Sequence, residues 1–525
     1  MNNKQKITNY TNDLLKEKII DRQKLMLVKR KLSKKYNISI LKNSEILKEI
    51  NNLKLQNKKI KNFAFLQNLL RKRSIRTISG IAPVAVLTKP FPCPGKCVYC
   101  PTEKNVPQSY LSNEPAVMRA IRCKYNPYKQ VQDRLKALEI NGHNPEKIEL
   151  IVIGGTWSVL PVKYQYWYIL NLFQGANNFN TKKQKKIKSN LSIEKLKKLL
   201  ALEQKKNETA KYKIIGLTLE TRPDYINEKE LWQMREFGCT RVELGVQAID
   251  DKILKLNKRG HGVLEIINAT SLLRKFGFKI TYHLMPGLPG STPAKDLKMF
   301  KKLFTDKHFQ PDQIKFYPTV VTKSSLLYRW YKTGKYKPYT DAQLQKLIIS
   351  CKKIVPSYVR IIRLIRDIPS ESIIAGNKIT NLRQIMKDKG TVCSCIRCRE
   401  AKEKKLKIKD VKFNIINYPT TDGEEYFLSF DSKNKKTLYG FCRLQLLKNS
   451  DAIIRELHVY GELVPTGEKK KTQHAGLGLK LLKQAEKIAK KNKFKKISVI
   501  SGIGVRNYYR KFGYKLKNTY LMKNL

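Results

Sequence analysis

Acidic side chains are scarce in this chain, and long apolar runs are missing. Of the 525 residues, 42 are Asp or Glu and 107 are Lys or Arg, which gives a formal charge of +65. No stretch approaches the roughly 18 apolar residues of a membrane-spanning helix, and the N-terminus has no apolar signal-peptide core. The ten cysteines are too few for a disulfide scaffold. These absences argue against a membrane or secreted protein and favour the cytoplasm.

The excess of positive charge favours a polyanionic partner. Lysines are dense in the first 80 residues and again at 182–213 and 402–412. Release of counterions from a phosphate backbone would stabilise a complex with nucleic acid. Two alternatives stay open. One is compositional drift in an AT-rich genome, and the other is an anionic lipid surface, although no segment with a strong apolar face accompanies the basic runs.

The pattern along the chain predicts an α/β protein of several regions. Residues 1–75 are basic and have helical periodicity. Further on, helical sequence alternates with short apolar runs at 148–153, 214–219, 242–246 and 280–284, which is typical of β/α units around a parallel sheet. We predict a first catalytic domain at 76–389 with a basic helical insertion at about 176–211, a cysteine-rich junction at 390–412 and a second domain at 413–525.

The first cysteine cluster has the spacing C-x3-C-x2-C and consists of Cys93, Cys97 and Cys100. Three thiolates this close can hold three irons of a 4Fe–4S cluster and leave the fourth iron without a protein ligand. An open iron can bind the amino and carboxylate groups of S-adenosylmethionine (SAM), and the spacing matches the radical SAM superfamily. A structural zinc site or inert cysteines are the alternatives.

Polar residues follow four of the predicted strands. Ligands bind at the carboxyl ends of the strands of a β/α barrel, whereas each residue singly could be a turn or a satisfied core group. Glycines at such a position allow the backbone to approach a ligand, and an acid with a base suits the two ends of an amino acid. The residues are Gly154, Gly155 and Thr156, then Glu220 and Arg222, then Gln247, and finally His283.

A glycine-bearing motif, Q-x-x-G-x-G, runs from Gln473 through Gly476 to Gly478 and opens an amphipathic helix predicted at 477–489. Backbone N–H groups at a helix N-terminus can hold a pyrophosphate. The pattern is the acetyl-CoA signature of the GCN5-related acetyltransferase (GNAT) fold. The preceding strand at 455–460 would splay open for pantetheine. Taken alone, the motif could be a plain turn.

The second cysteine cluster, Cys393, Cys395 and Cys398, lies in the junction with the spacing C-x-C-x2-C. Three thiolates with one further ligand suit a tetrahedral zinc ion. We interpret the site as structural, connecting the two catalytic domains. The fourth ligand is unidentified, and a pair of turns without metal is the alternative.

A radical SAM domain followed by a GNAT domain resembles the catalytic subunit of Elongator, the family of the third Elongator protein. The resemblance covers roughly residues 75–525, and the tight spacing of the first cluster resembles prokaryotic-type members. Not all members have the zinc cysteines. The resemblance implies a partial (β/α) radical-SAM barrel plus a GNAT α/β domain, with a basic helical N-terminal region that binds tRNA. The stretches that carry it include 114–122, 220–225, 366–369 and 455–461.

By resemblance, the chain would add a carboxymethyl group to C5 of the wobble uridine 34 of tRNA. A SAM-derived 5′-deoxyadenosyl radical would remove hydrogen from the acetyl methyl of acetyl-CoA, and the carbon radical would add to uridine. The cofactors are then the 4Fe–4S cluster, SAM, acetyl-CoA as substrate and zinc. The partners are tRNA and, as a second candidate, other Elongator subunits, with no membrane.

The resemblance also assigns residues to these roles. Acetyl-CoA contacts fall on Lys147, Glu456, Leu457, His458, Val459, Leu477, Gly478, Leu479 and Tyr508. We expect SAM and the catalytic chemistry to involve Glu220, Arg222, Gln247, His283, Tyr508 and Tyr509.

Two other functions stay open at this point. A protein lysine acetyltransferase needs a base to deprotonate the lysine ammonium. Glu456 is the nearest candidate, but the same residue match makes it a CoA contact, and the first cluster would have no role. A non-catalytic RNA-binding remnant predicts loss of the cysteines or of residues 473–478, and neither has been lost.

Overall fold

The computed structural model describes residues 2–55, 63–71, 80–181, 187, 189–401, 410–448, 450–460 and 476–525. The N-terminal region is helical, as its periodicity predicts. Asn2 and Asp21 cap the first two helices by accepting from backbone N–H groups, and the helices share a core that includes Tyr10, Leu14 and Ile46. The four helices are α1 (Asn3–Lys16), α2 (Arg22–Tyr36), α3 (Asn43–Leu55) and α4 (Phe63–Leu70).

Seven parallel strands form one open sheet, and their order in space is their order in the chain. All four predicted strands are present, each longer than its apolar run by one to three residues. The strands are β1 (Ala82–Leu87), β2 (Lys147–Ile153), β3 (Lys213–Thr221), β4 (Arg241–Gln247), β5 (Lys279–Leu284), β6 (Gln313–Phe316) and β7 (Arg360–Arg363).

Helices connect these strands, as the alternation of patterns predicts. The helices are α5 (Pro115–Arg122), α6 (Pro127–Ile140), α7 (Val162–Asn177), α8 (Ile193–Asn207), α9 (Glu228–Glu236), α10 (Asp251–Leu256), α11 (Val263–Lys275), α12 (Pro293–Thr305), α13 (Leu326–Lys332), α14 (Asp341–Ile354), α15 (Leu382–Asp388) and α16 (Ile396–Arg399).

The segment expected as a basic insertion at 176–211 contains α8, whose Leu196 and Leu200 are buried in the main core. This helix therefore belongs to the packed layer beside the sheet and not to a peripheral insertion. The lysine-rich residues 182–186 lie outside the described residues.

A second seven-stranded sheet is mixed, with order β13-β14-β12-β11-β10-β9-β8. Helix α17 begins at Leu477, where the prediction put it, and buries Leu481, Leu482 and Ala485. The α/β class is confirmed. The elements are β8 (Val411–Thr420), β9 (Gly423–Ser432), β10 (Leu438–Leu447), β11 (Ala452–Val459), α17 (Leu477–Lys491), β12 (Lys496–Val499), α18 (Arg506–Arg510), β13 (Lys515–Lys517) and β14 (Tyr520–Asn524).

A buried ion network joins the two sheets. Arg455 contacts Asp312 at 2.5 Å and Glu425 at 2.9 Å, while Arg443 lies 3.4 Å from Asp312 and Arg274 3.4 Å from Glu425. All five side chains are at most 1% exposed. Because Asp312 directly precedes β6, the mixed sheet packs at the amino ends of the parallel strands.

None of the helices in the described part of the chain has the length and apolar character needed to cross a bilayer.

Candidate functional site between the cysteine loop and the acetyltransferase-like sheet

A single cavity of about 2540 Å³ extends from the cysteine loop that follows β1 to the mixed sheet. Gly154, Leu477 and Cys395 do not line it, and Gln473 lies outside the described residues. The predicted site residues that line it are Cys93, Cys97, Cys100, Lys147, Gly155, Thr156, Glu220, Arg222, Gln247, His283, Cys393, Cys398, Glu456, Leu457, His458, Val459, Gly476, Gly478, Leu479, Tyr508 and Tyr509.

The thiols of the first cluster converge on Gly95. A Cβ placed there would lie 3.5 Å from Cys97 Sγ and 3.6 Å from Cys93 Sγ, and it would collide with the Arg222 guanidinium. A hydrogen bond from Cys100, together with the positive charge of Arg259, lowers the pKa of the Cys97 thiol to about 5 against the effect of burial. Converging thiols, one of them stabilised as a thiolate, fit an iron–sulfur cluster.

Arg259 is a site residue that the motifs did not reveal. It donates to Cys97 Sγ at 3.2 Å and to the Gly245 carbonyl at the end of β4. It therefore fixes the cysteine loop to the barrel. The sequence offers no signal for it, because it lies in the loop after α10 and outside any spacing rule.

Arg222 has one donor to spare beside the cysteine loop. Its Nε and Nη2 donate to Asp224 at 2.9 and 2.7 Å, and Nη2 also donates to the Arg259 carbonyl at 2.7 Å. Its Nη1 is buried and has no hydrogen-bond partner among the described residues. A buried, unpaired donor facing a cavity indicates a ligand acceptor.

His283 stands between two carboxylates inside the barrel. Its Nε2 lies 2.8 Å from Glu243 Oε2, and its Nδ1 lies 3.5 Å from Glu220 Oε1. Tyr110 donates to the other oxygen of Glu220 at 3.2 Å. Burial alone would raise the pKa of Glu243, but Lys315 and His283 outweigh it and hold that pKa well below its usual range. The carboxylate therefore stays ionised and orients the imidazole.

The ends of β2 and β4 have unusual backbone geometry. Gly154 and Gly155 have φ of +135° and +99°, and a Cβ on Gly154 would collide with Thr88. Gln247 has φ of +69°, which is rare for a residue with a side chain. Its Oε1 is buried and unpaired within the described part of the chain. Strain and an orphaned acceptor at one position are typical of a ligand site.

At the other end of the cavity, β11 and β12 diverge. They pair only from Ala452 to Ile454, although β11 extends to Val459. On its other edge β11 stays paired with β10 up to Val459. The backbone groups at 456–459 that face away from β10 therefore have no strand partner among the described residues, which is the splay that the sequence predicts.

The N-terminus of α17 lies beside this gap. Gly476 caps it with φ of +87°, and the first N–H groups of a helix have no partner within the helix. A Cβ on Gly478 would lie only 2.6 Å from Tyr508 Oη, so the tyrosine hydroxyl stands directly over this turn. Tyr509, by contrast, is 6% exposed and packs edge-on against Tyr514.

Cations line the cavity between its two ends. Lys147 pairs in register with Lys213, and burial lowers the pKa of Lys147. Glu456 is flanked by Lys279 at 3.6 Å and Arg443 at 3.2 Å. Lys147 faces the same cavity as the residues of β11, as the residue match implied. The cations at the first position of a strand are Lys147, Lys213, Arg241, Lys279 and Arg360.

The second cysteine cluster is compact. The Sγ atoms of Cys393, Cys395 and Cys398 all lie within 4.8 Å of one another, and no fourth His, Cys, Asp or Glu joins them among the described residues. Thiolates about 2.3 Å from a tetrahedral zinc ion would be separated by less than this distance. The donor set therefore fits zinc.

Comparisons with known proteins agree with this geometry. Residues 92–303 match the model of the Radical SAM superfamily, and residues 311–389 match that of the Radical SAM C-terminal domain. The tRNA uridine(34) acetyltransferase of Methanocaldococcus infernus is 42% identical over 538 residues, which cover 97% of this chain and 96% of the relative. Elongator complex protein 3 of Homo sapiens is 37% identical over 487 residues, 87% of this chain and 86% of the relative.

A solved structure supports the same conclusion. Elongator protein 3 of the archaeon M. infernus, with an N-terminal deletion, superposes with a TM-score of 0.71 at 39% identity and covers 86% of this chain and 100% of its own. The chain therefore belongs to the family of the tRNA uridine(34) acetyltransferases and Elongator complex protein 3, and it is a radical SAM enzyme of that family.

Proposed function

We propose that this protein adds a carboxymethyl group, taken from acetyl-CoA, to C5 of the wobble uridine 34 of tRNA. The observation that carries the proposal is the single cavity, which has the cysteine loop at one end and the splayed strand β11 at the other. A reaction that joins SAM chemistry to a thioester needs both ends in one space. The relatives named for tRNA uridine(34) support the substrate.

Cys93, Cys97 and Cys100 would hold a 4Fe–4S cluster with one iron open to SAM. When bound, these groups supply radical chemistry that can break a methyl C–H bond, which no side-chain base can do. Arg259 holds Cys97 by its Nη1 donation. Its burial beside Gly245 keeps the loop against the barrel and excludes water from the thiols.

The ends of β2–β5 would orient SAM. The free Nη1 of Arg222 is suited to a carboxylate, and the free Oε1 of Gln247 is suited to an ammonium or a hydroxyl group. Gly155 and Thr156 leave room for backbone approach. His283, fixed by Glu243, holds a proton facing Glu220 and keeps that carboxylate in place.

The mixed sheet would hold acetyl-CoA. The N–H groups of residues 477–479 point to a pyrophosphate at the positive end of α17, and the open edge at 456–459 can accept pantetheine amides as a strand would. Tyr508 covers Gly478 and bounds the site. Lys147 faces the thioester end from the barrel, so both halves would contact one substrate.

The geometry favours this function over a protein lysine acetyltransferase. Burial raises the pKa of Glu456, but Lys279 and Arg443 outweigh it and leave that pKa below its ordinary value. A carboxylate stabilised by two cations is a poor base for a lysine ammonium. Burial also lowers the pKa of His458 to about 3, which makes it a poor base as well.

The charge of the chain supports tRNA as substrate. Helices α1–α4 form a separate small core with many exposed lysines, and phosphate contacts position a nucleic acid without reading its sequence. A uridine would have to leave its stack to enter the cavity. Elongator subunits remain a second class of partner in this proposal, on the name of the human relative.

We also propose that Cys393, Cys395 and Cys398 bind a structural zinc ion. The loop is tied to β7 by Ile396 N donating to Val359 O at 2.9 Å and by Arg397 donating to Ile362 O at 2.8 Å. Cys395→Ser should lose the zinc found by elemental analysis, whereas Ser394→Ala, at the exposed neighbour, should keep it. Equal zinc content in both variants would contradict the site.

The function can be tested in anaerobic, reconstituted enzyme. With dithionite, SAM, acetyl-CoA and unmodified tRNA, mass spectrometry should find 5′-deoxyadenosine and 5-carboxymethyluridine, the latter only with acetyl-CoA. Cys97→Ala should abolish modification and leave tRNA binding intact. Cys351→Ala, a buried cysteine outside both clusters, should remain active. Modification by Cys97→Ala would contradict the radical mechanism.

A further inference from the structure

Glu208 is a buried carboxylate whose partners lie on the other half of the molecule. It follows α8 in the radical SAM half and is 3% exposed. Arg510 Nη1 donates to its Oε2 at 2.7 Å, and Arg510 Nη2 donates to its Oε1 at 3.2 Å. Arg506 donates to Oε1 at 3.4 Å, and Asn507 donates to the Glu208 carbonyl at 3.3 Å.

These partners belong to α18, which carries Tyr508 in its middle. The helix has five residues, and a helix of this length has little stability of its own. Three of its five side chains are held by Glu208. The position of Tyr508 over Gly478 therefore depends on a residue of the other domain.

The turn before α18 is also seated on the radical SAM half. A Cβ on Gly502 would collide with the Ile215 carbonyl, and a Cβ on Gly504 would lie 3.0 Å from the Ile214 carbonyl. Both carbonyls belong to β3, whose opposite end carries Glu220. The helix with Tyr508 thus rests on the same strand that contributes to the cysteine end of the cavity.

We propose that Glu208 is a positioning residue for acetyl-CoA, which acts by clamping α18 so that Tyr508 closes the site over the α17 turn. This inference rests on the proposed function, in which Tyr508 contacts acetyl-CoA. Glu208 itself does not line the cavity. Any effect on the ligand must therefore pass through α18.

The test is acetyl-CoA binding to the full-length holoenzyme by calorimetry. Glu208→Gln keeps the shape but removes the charge that Arg506 and Arg510 share, and we expect the Kd for acetyl-CoA to rise about tenfold. Glu208→Asp should recover part of the affinity. SAM cleavage measured without acetyl-CoA should stay at the wild-type rate in both variants.

Glu203→Gln is the matched control. Glu203 lies on the same helix and is also buried, but its partners Lys206 at 2.6 Å and Asn177 at 2.7 Å belong to its own half. This variant should bind acetyl-CoA as the wild type does. A Tyr508→Ala background should remove most of the effect of Glu208→Gln, because both changes act on one contact.

The outcomes separate the two claims. If the wild type binds acetyl-CoA and Glu208→Gln binds it equally well, the positioning role is overturned and the proposed function stands. The same holds if Glu208→Gln weakens binding equally in the Tyr508→Ala background. If the wild type binds no acetyl-CoA, the proposed function is overturned, and the positioning role with it.

Discussion

Buried side chains from outside the motifs hold the cysteine loop and the barrel interior in place. Arg259 reaches from the loop after α10 to Cys97 and to the Gly245 carbonyl, so one guanidinium connects the loop with β4. The fork of an arginine can make these two contacts at once, whereas the single ammonium of a lysine cannot.

We expect Arg259→Lys to keep the charge and lose this connection. The rate of SAM cleavage in the reconstituted enzyme should fall about tenfold or more, while circular dichroism shows an unchanged fold. Lys255→Arg, on the exposed side of α10, serves as the control and should have no effect. Wild-type cleavage by Arg259→Lys would show that the loop does not depend on this contact.

His458 gives a pH dependence whose sign follows from its burial. Its pKa is lowered to about 3, whereas an unfolded histidine titrates near 6.5. As the pH falls below 6.5, the unfolded chain takes up a proton that the folded protein does not, so stability is lost in this window.

His458→Phe should remove this contribution and preserve the ring contacts with Phe441 and Tyr460. Between pH 7 and pH 5 its melting temperature should fall less than that of the wild type. His308→Phe, at a half-buried histidine of the other domain, should follow the wild type. An equal decline in His458→Phe would contradict the burial of a neutral imidazole.

At this scale the sequence predicts residues with a spacing rule and misses those without one. The three cysteines and the strand-end residues line the cavity as expected. Glu243 and Lys315 were missed because a charged residue inside a short strand becomes interpretable only when the register places it opposite His283.

Among the elements, the junction of β11 with α17 is the one that prepares a ligand site. The strand loses its partner after Ile454, and the helix begins with Gly476 in the left-handed region. Neither feature stabilises the fold, because open strand edges and uncapped helix ends leave backbone groups without partners. Their coincidence is explained by a ligand that supplies those partners.

Gly478→Ala tests this element. The added methyl would stand 2.6 Å from Tyr508 Oη and displace the tyrosine. We expect the Kd for acetyl-CoA to rise at least about tenfold, with SAM cleavage unchanged. Lys480→Ala, on the exposed side of the same helix, should bind normally. Unimpaired binding by Gly478→Ala would place acetyl-CoA elsewhere.

Element types were predictable because apolar periodicity follows burial. The four strands and the start of α17 are present where the pattern put them. Helix α8 was misjudged as part of an insertion, since its many lysines concealed the two leucines that face the core. Composition describes the exposed side of a helix, and the buried side can rest on very few residues.

On the scale of the whole molecule, the buried ion network fixes the mixed sheet beneath the barrel. Asp312 lies between Arg443 and Arg455, and all three side chains are fully buried. A buried charge left without its partner is strongly destabilising. No sequence pattern predicts this docking, because the charges lie far apart in the chain.

Asp312→Asn should therefore lower the free energy of unfolding by about 3–5 kcal/mol, measured by urea denaturation. Asp306→Asn, a partly exposed aspartate of the same domain, should change it by less than about 1 kcal/mol. If the two variants lose equal stability, the network does not hold the domains together.

The central claim is that one cavity brings the acetyl methyl group of acetyl-CoA to the SAM end of the barrel. The direct measurement uses acetyl-CoA deuterated in its methyl group, with reconstituted enzyme, SAM and unmodified tRNA, and follows the label by mass spectrometry. The account predicts deuterium in 5′-deoxyadenosine, with the rest of the label in the carboxymethyl group of uridine 34. Modified uridine formed without any deuterium in 5′-deoxyadenosine would contradict it.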